Sequence, residues 1–215
     1  SLANNRTNTN DSAIKTVIDA WYKNNLLANY DKYISKTAIY CNDRSTENDS
    51  YSTSGYFEYG VSTRLNNDNP IYKCGENGNG GLFESTQATA DKFSVNTTGG
   101  GNGQLTYSIA LMTADELYFA GGVFGNNLLN PYAWYYTNSV GNSITGRNYW
   151  WPMSPNNGSN MWIVGGFAYP GYLGSHSVRL LNGVRPVLSL SSCVKVTGRG
   201  TADDPYQVDE SASTC

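Results

Sequence analysis

The chain has 215 residues, enough to bury a sizeable core and suited to one domain. Its 17 Asp and Glu outnumber 14 scattered Lys and Arg, a net charge of −3, so neither nucleic acid nor an acidic membrane surface is an expected partner. Only 14% of residues are charged, against a usual figure of about 25%, so solubility rests on amides and hydroxyls, a balance common in secreted and cell-surface proteins.

In chain order, residues 10–28 read as an amphipathic helix. Ile14, Val17, Ile18, Trp21 and Leu26 approximate the i, i+3, i+4, i+7 spacing, behind Asn10, Asp11 or Ser12 as cap. YDKYISK predicts a further helical turn and TAIYC a strand running into a loop. Residues 45–103 form a loop-rich insertion, mostly Asn, Ser, Gly and Thr, in which regular structure should be sparse; so long a loop is usually functional or stapled. QLTYSIALM reads as a buried strand, and TADE opens a second helix, 113–120, with a capping box between Thr113 and Glu116. The glycines of FAGG end it. Loops dominate 123–182, with short strands at Tyr149–Trp151 and Asn160–Val164. They are followed by a GVRPVLSL strand, whose Pro186 belongs at a sheet edge, an entrance or a bulge, and by a tail over 191–215.

Four cysteines without a C-x-x-C pair predict disulfides and an oxidising compartment; of three possible pairings the most local joins Cys41 to Cys74 and Cys193 to Cys215. No apolar run approaches the roughly 18 residues that span a bilayer, so no direct membrane insertion is expected. The opening SLANNRTNTN lacks the regions of a signal peptide, which predicts a signal or anchor upstream of it.

NDSAIKTVIDAWYKNNL, YCNDRS, GQLTYSIALMTADELYFAGG, YWWPMSP and GVRPVLSL followed by GRGTADDPYQV together resemble the DUF6273 domain of bacterial, mostly Firmicute, cell-surface proteins. Beneath that, MTADELYFAGG and NGVRPV are similar to a helix and a closing strand of formylglycine-generating-enzyme-like proteins. The resemblance implies an α+β, C-type-lectin-like fold: two helices, a small twisted, mostly antiparallel sheet and long loops. That fold family includes sugar binders, an oxidase and the variable receptor-binding proteins of diversity-generating retroelements, so residues must choose among them.

The oxidase holds copper with a cysteine pair before the final strand, and this chain has no cysteine between Cys74 and Cys193. The single histidine, His176, sits in a Gly/Ser stretch without metal-ligand spacing, which reads as a solvated or ligand-touching side chain. Asp115 and Glu116 are adjacent on a helix and point different ways, Glu116 being taken by the capping box; Asp203 and Asp204 precede Pro205 in turn-like chemistry. NNDNP, residues 66–70, reads as a polar turn before it reads as a calcium loop, and the Gly-rich runs lack the strand-to-helix setting of phosphate cradles. No cofactor, no metal and no catalysis are expected.

RNYWWPMSPNNGSNMWIVGG supplies core residues in Trp150, Met153, Trp162 and Val164, which the GVRPV strand should join by pairing centrally with NMWIVGG. Asn126, Tyr132, Tyr135, Tyr136, Asn148, Tyr149, Asn156, Asn157, Tyr169, Tyr172 and His176 fall in loops or turns among Gly and Ser, the composition of a paratope. The reading is an extracellular, non-catalytic binding or adhesion domain for a cell-surface protein or glycan, carried on a larger surface protein or pilus, with loops that a retroelement could diversify. The alternatives are a structural spacer or pilin-like module and a carboxylate-based enzyme.

Overall fold

The computed structural model describes residues 11–47, 57–72, 90–96, 103–125, 149–165, 172–201, 203–213 and 215, and within them the chain is α+β. In chain order the elements are α1 (Ala13–Asn25), a 3₁₀ turn (Asp31–Tyr33), β1 (Tyr40–Asp43), α2 (Gly60–Asn66), β2 (Ala90–Ser94), β3 (Gly103–Gln104), β4 (Ala110–Leu111), α3 (Ala114–Phe119) and β5 (Val123–Phe124). There follow β6 (Trp150–Trp151), β7 (Pro155–Asn157), β8 (Asn160–Val164), β9 (Tyr172–Ser177), β10 (Gly183–Val184), β11 (Pro186–Val187), β12 (Val196–Thr197) and β13 (Gln207–Val208).

The main sheet runs β10-β6-β8-β9-β5, with β7 also beside β8. β8 is antiparallel to β9 from Asn160↔Ser177 to Val164↔Leu173, and its other edge takes β6 at Trp150↔Val164 and β7 at Pro155↔Met161. Because side chains alternate across a strand, this sheet serves two cores. One face carries Trp150, Trp162, Val164 and Leu173 against Val61 and Leu65 of α2 and Ala114 and Leu117 of α3. The other carries Trp151 and Ile163 against Ile18 and Tyr22 of α1. The neighbours Trp150 and Trp151 are thus anchors of opposite cores.

Ser12 caps α1, its Oγ accepting from Lys15 N at 3.1 Å. The buried stripe is Ile14, Ile18, Tyr22 and Leu26, a strict i, i+4 ladder, while Val17 and Trp21 face outward. The expected face was rotated because Tyr22 counts as polar by its hydroxyl. In the structure that hydroxyl is satisfied inside, donating to Asp31 at 2.6 Å, and burial together with this bond pushes the phenol far above its ordinary pKa. The capping box of α3 stands as expected: Thr113 Oγ1 accepts from Glu116 N at 3.1 Å and Glu116 Oε2 from Thr113 N at 2.7 Å. Gly121, at φ 95°, ends that helix.

Three expectations are corrected. The 45–103 insertion holds a third helix, α2, and the strands β2 and β3. QLTYSIALM is not one strand: its middle turns, Ile109 N bonding Tyr107 O at 2.9 Å, so that Tyr107 stacks on Tyr22. GVRPV does not pair with β8. It steps between two sheets, β10 lying parallel on β6 at the edge and β11 antiparallel on β4, with Pro186 at a strand's first position, where no ladder donor is lost.

Cys193 and Cys215 are joined, and Cys41 is also disulfide-bonded, while Cys74 lies outside the described residues. The Cys193–Cys215 bridge closes a tail that carries the exposed β12–β13 hairpin and touches the body at Tyr33, which accepts from Ser191 N and donates to Glu210. Replacing both cysteines by serine is therefore expected to melt the tail locally rather than unfold the domain. Hydrogen exchange should rise severalfold at Val196, Thr197 and Val208 while amides of β8 stay protected. Equal loss of protection in β8 would show that the tail holds the body together.

Candidate functional site

A cleft of about 490 Å³ lies between the first turns of α1 and the sheet face below it. The cap at Ser12 places Ile14 and Ile18 one turn apart on the same side of α1, facing Trp151 and Met161. Ile109 and Leu111 continue the apolar wall. Met153 leaves the β6–β7 line because its N–H bonds to Met112 O at 2.7 Å, and Ser154 accepts from Ala114 N at 2.9 Å; Pro152, Met153 and Pro155 thereby line the cleft as well. The bend in WWPMSP is what opens it.

The polar lining comes from Asp11, Ser12, Lys15, Asn42, Arg44 and Gln104. Lys15 is paired with Asp19, and Arg44 is buried. Asn42 differs: its Oδ1 is buried with no donor. A buried acceptor without a donor is costly, and a guest with an N–H or O–H would relieve it. The volume suits a small ligand or a large side chain. Among the described residues no group of His, Cys, Asp and Glu is placed to hold a metal ion.

The expected binding residues divide. Asn126, Tyr132, Tyr135, Tyr136, Asn148 and Tyr169 lie outside the described residues. Tyr149 and His176 meet edge to face, ring centroids 4.3 Å apart, and His176 stands opposite Met161 in the β8–β9 register. Tyr149 and Tyr172 are half-buried against the α1-side core, and the Tyr172 ring fills the space a Cβ at Gly174 would need. Asn156 works inward, donating to Ser62 Oγ at 3.0 Å while its carbonyl accepts from Tyr59 N at 3.1 Å. Asn157 Oδ1 accepts from Ser159 N and Asn160 N, both at 3.1 Å, and so builds the β7–β8 turn. Tyr149, Tyr172 and His176 therefore share the cleft's side of the sheet, whereas the two asparagines are spent on the fold.

The carboxylates have structural partners. Arg64 forks onto Asp115 (Nη2–Oδ2 2.8 Å, Nε–Oδ1 3.2 Å) and reaches Asp43 with Nη1 at 2.6 Å. Burial alone would depress the guanidinium pKa, but hydrogen bonds and charge from Asp115 and Asp43 hold it above its ordinary value. In NNDNP, Asn67 N returns to the end of α2 and Asp68 accepts from Tyr118. The cleft residues that sequence reasoning missed, Ile14, Ile18, Asn42 and Met161, come from three separate segments. YCNDRS and YWWPMSP were visible as motifs, but nothing local in them says that they face one another.

No family model, curated protein or solved structure matches this chain. The chain is α+β, with three described helices, several small mixed sheets and a disulfide in its tail.

Proposed function

We propose that the chain is a non-catalytic, C-type-lectin-like binding domain working outside the cell, which seats an apolar side chain of a cell-surface protein in the cleft under α1. The cleft carries this reading: Ile14, Ile18, Leu111, Trp151 and Met161 form an apolar wall, and among the polar residues that also line it Asn42 keeps a buried side-chain acceptor without a donor. A sugar would need a dense set of hydrogen-bond partners there, and an aromatic side chain with one donor, as in Trp or Tyr, needs one. Disulfide bonds at Cys41 and Cys193–Cys215 support an oxidising location, and no described helix is long and apolar enough to cross a membrane. Display on a pilus or larger surface protein belongs to this reading through the resemblance to DUF6273 domains, and diversification of the Tyr- and Asn-rich stretches within 123–182 through that resemblance together with their composition.

A spacer module is the second reading, favoured by Val178, Leu180 and the almost wholly exposed Leu181 on the turn after β9, which a sister domain would cover.

The chain has three methionines, and two of them, Met153 and Met161, line the cleft while Met112 packs in the opposite core. With methyl-labelled methionine, titration with indole or p-cresol should shift the Met153 and Met161 resonances and leave Met112 still, with Kd on the order of 1 mM for so small a guest. Ile14→Trp, at a partly buried position on the cleft wall, should fill the cleft and weaken binding at least about tenfold. Shifts shared equally by Met112, or none at Met161, would remove the cleft as a binding site.

A further inference from the structure

Arg185 stands at the step between β10 and β11, and the main chain on both sides of it is fixed: Gly183 and Val184 pair with Trp150 and Trp151, Pro186 and Val187 with Leu111 and Ala110. Alternation puts Arg185 on the same face as Gly183, and its guanidinium lies over the Trp150 ring, 5.4 Å from the centroid. Its Nε and Nη2 are buried and neither has an acceptor. Another interior arginine is treated differently, since Arg64 holds two carboxylates through three bonds. Trp162, in the same core cluster as Trp150, also has a buried Nε1–H without an acceptor.

Nε and Nη2 form the side edge of the guanidinium, where two parallel N–H bonds meet the two oxygens of one carboxylate. From this unfilled fork we infer that Arg185 is an anion site for a carboxylate, held side-on against the Trp150 ring. It is distinct from the cleft under α1, on the other face of the sheet. Burial without a counter-charge pushes the guanidinium pKa down to about 10, a cost that an incoming carboxylate relieves. Arg185 as a whole is half-buried while Nε and Nη2 themselves are covered, so a ligand reaches the fork only after a local shift of what covers it. A bidentate, stacked site needs the planar fork, which lysine lacks.

The test is the melting temperature of the wild-type chain and of Arg185→Met and Arg185→Lys in sodium acetate against sodium chloride at equal ionic strength. In a second arm, Ac-Ala-Glu-Ala-amide is compared with Ac-Ala-Gln-Ala-amide. Acetate should raise the wild-type Tm by about 3 °C over chloride, and neither variant should respond. An acetate response without a glutamyl-peptide response identifies a free small acid as the ligand. A glutamyl response exceeding both acetate and the glutaminyl peptide identifies a carboxylate carried by a protein. Equal responses in wild type and Arg185→Met, or none in any arm, overturn the site. If the variants fail to fold, the Arg185 Nε–H resonance of the wild type decides: it shifts with acetate and not with chloride, or the inference is wrong.

Discussion

Arg64→Met is expected to destabilise the chain by about 3–5 kcal/mol, well beyond what the loss of a surface ion pair would do. Asp43, Arg64 and Asp115 are largely buried, with side chains 13%, 17% and 8% exposed. They also tie together β1, α2 and α3. Each carboxylate has a further tether, Asp43 Oδ1 accepting from Ser45 N at 2.9 Å and Asp115 Oδ1 from Ile71 N at 3.0 Å, so neither can swing out to water when the cation is removed. Two anions would then face each other in the interior. The accompanying triple change, Arg64→Met with Asp43→Asn and Asp115→Asn, should recover more than half of the loss, because the penalty comes from uncompensated charge and not from the missing methylenes. Arg64→Lys should fall between them, since it keeps the charge and loses the fork. Urea denaturation measures all three, and an Arg64→Met chain within 1 kcal/mol of wild type would mean that water reaches these carboxylates.

That network also shows where sequence reading reaches its limit. Asp115 and Glu116 could be weighed as an acid pair from their adjacency, and Glu116 could be assigned to the capping box because the box is local, three residues wide and chemically complete. Asp115 could not be assigned, because its partner lies 51 residues away on a helix hidden in an Asn, Ser and Gly-rich stretch. α2 has only seven residues, begins with glycine and buries Val61 and Leu65, too short a signal to outweigh its polar neighbours. β8, by contrast, was legible to the residue. Its apolar run NMWIV is bounded by turn residues and buried on both faces, so no periodicity had to be chosen.

The candidate site was legible in part for the same reason. The aromatic segment 149–162 does reach the cleft, through Trp151, Pro152, Met153 and Met161. Its polar members have uses inside the fold: Asn156 and Asn157 look like adaptable paratope residues, and in the structure the Asn157 amide oxygen accepts from neighbouring main chain at Ser159 and Asn160 while the Asn156 amide donates to the Ser62 side chain. Composition cannot separate the two uses. Tyr172 was hidden similarly, because only the missing side chain of Gly174 makes room for its ring to lie down on the sheet.

Trp150→Ala is expected to cost about 3–5 kcal/mol and to affect the core on the α2–α3 side before the cleft. Trp150 is fully buried, and β6 is only two residues long, so few ladder bonds hold the strand: one pair with Val164 and a parallel edge with Gly183 and Val184. Side-chain packing therefore supplies most of what keeps β6 in register. Removing the indole leaves a cavity bordered by Trp162, Val164 and Leu173, none of which can collapse into it while β8 and β9 remain paired over five residues. It also removes the ring over which Arg185 lies, exposing an already unpaired cation to a void. Trp150→Phe should lose less, about 1–2 kcal/mol, because part of the volume and a smaller aromatic face remain. The distribution of damage is the sharper test. Hydrogen exchange should accelerate in α2, α3 and β10 while α1, which packs on Trp151, keeps its protection until global unfolding. If α1 opens first, the two faces of the sheet are one cooperative core, and adjacent tryptophans pointing to opposite sides are not separate anchors.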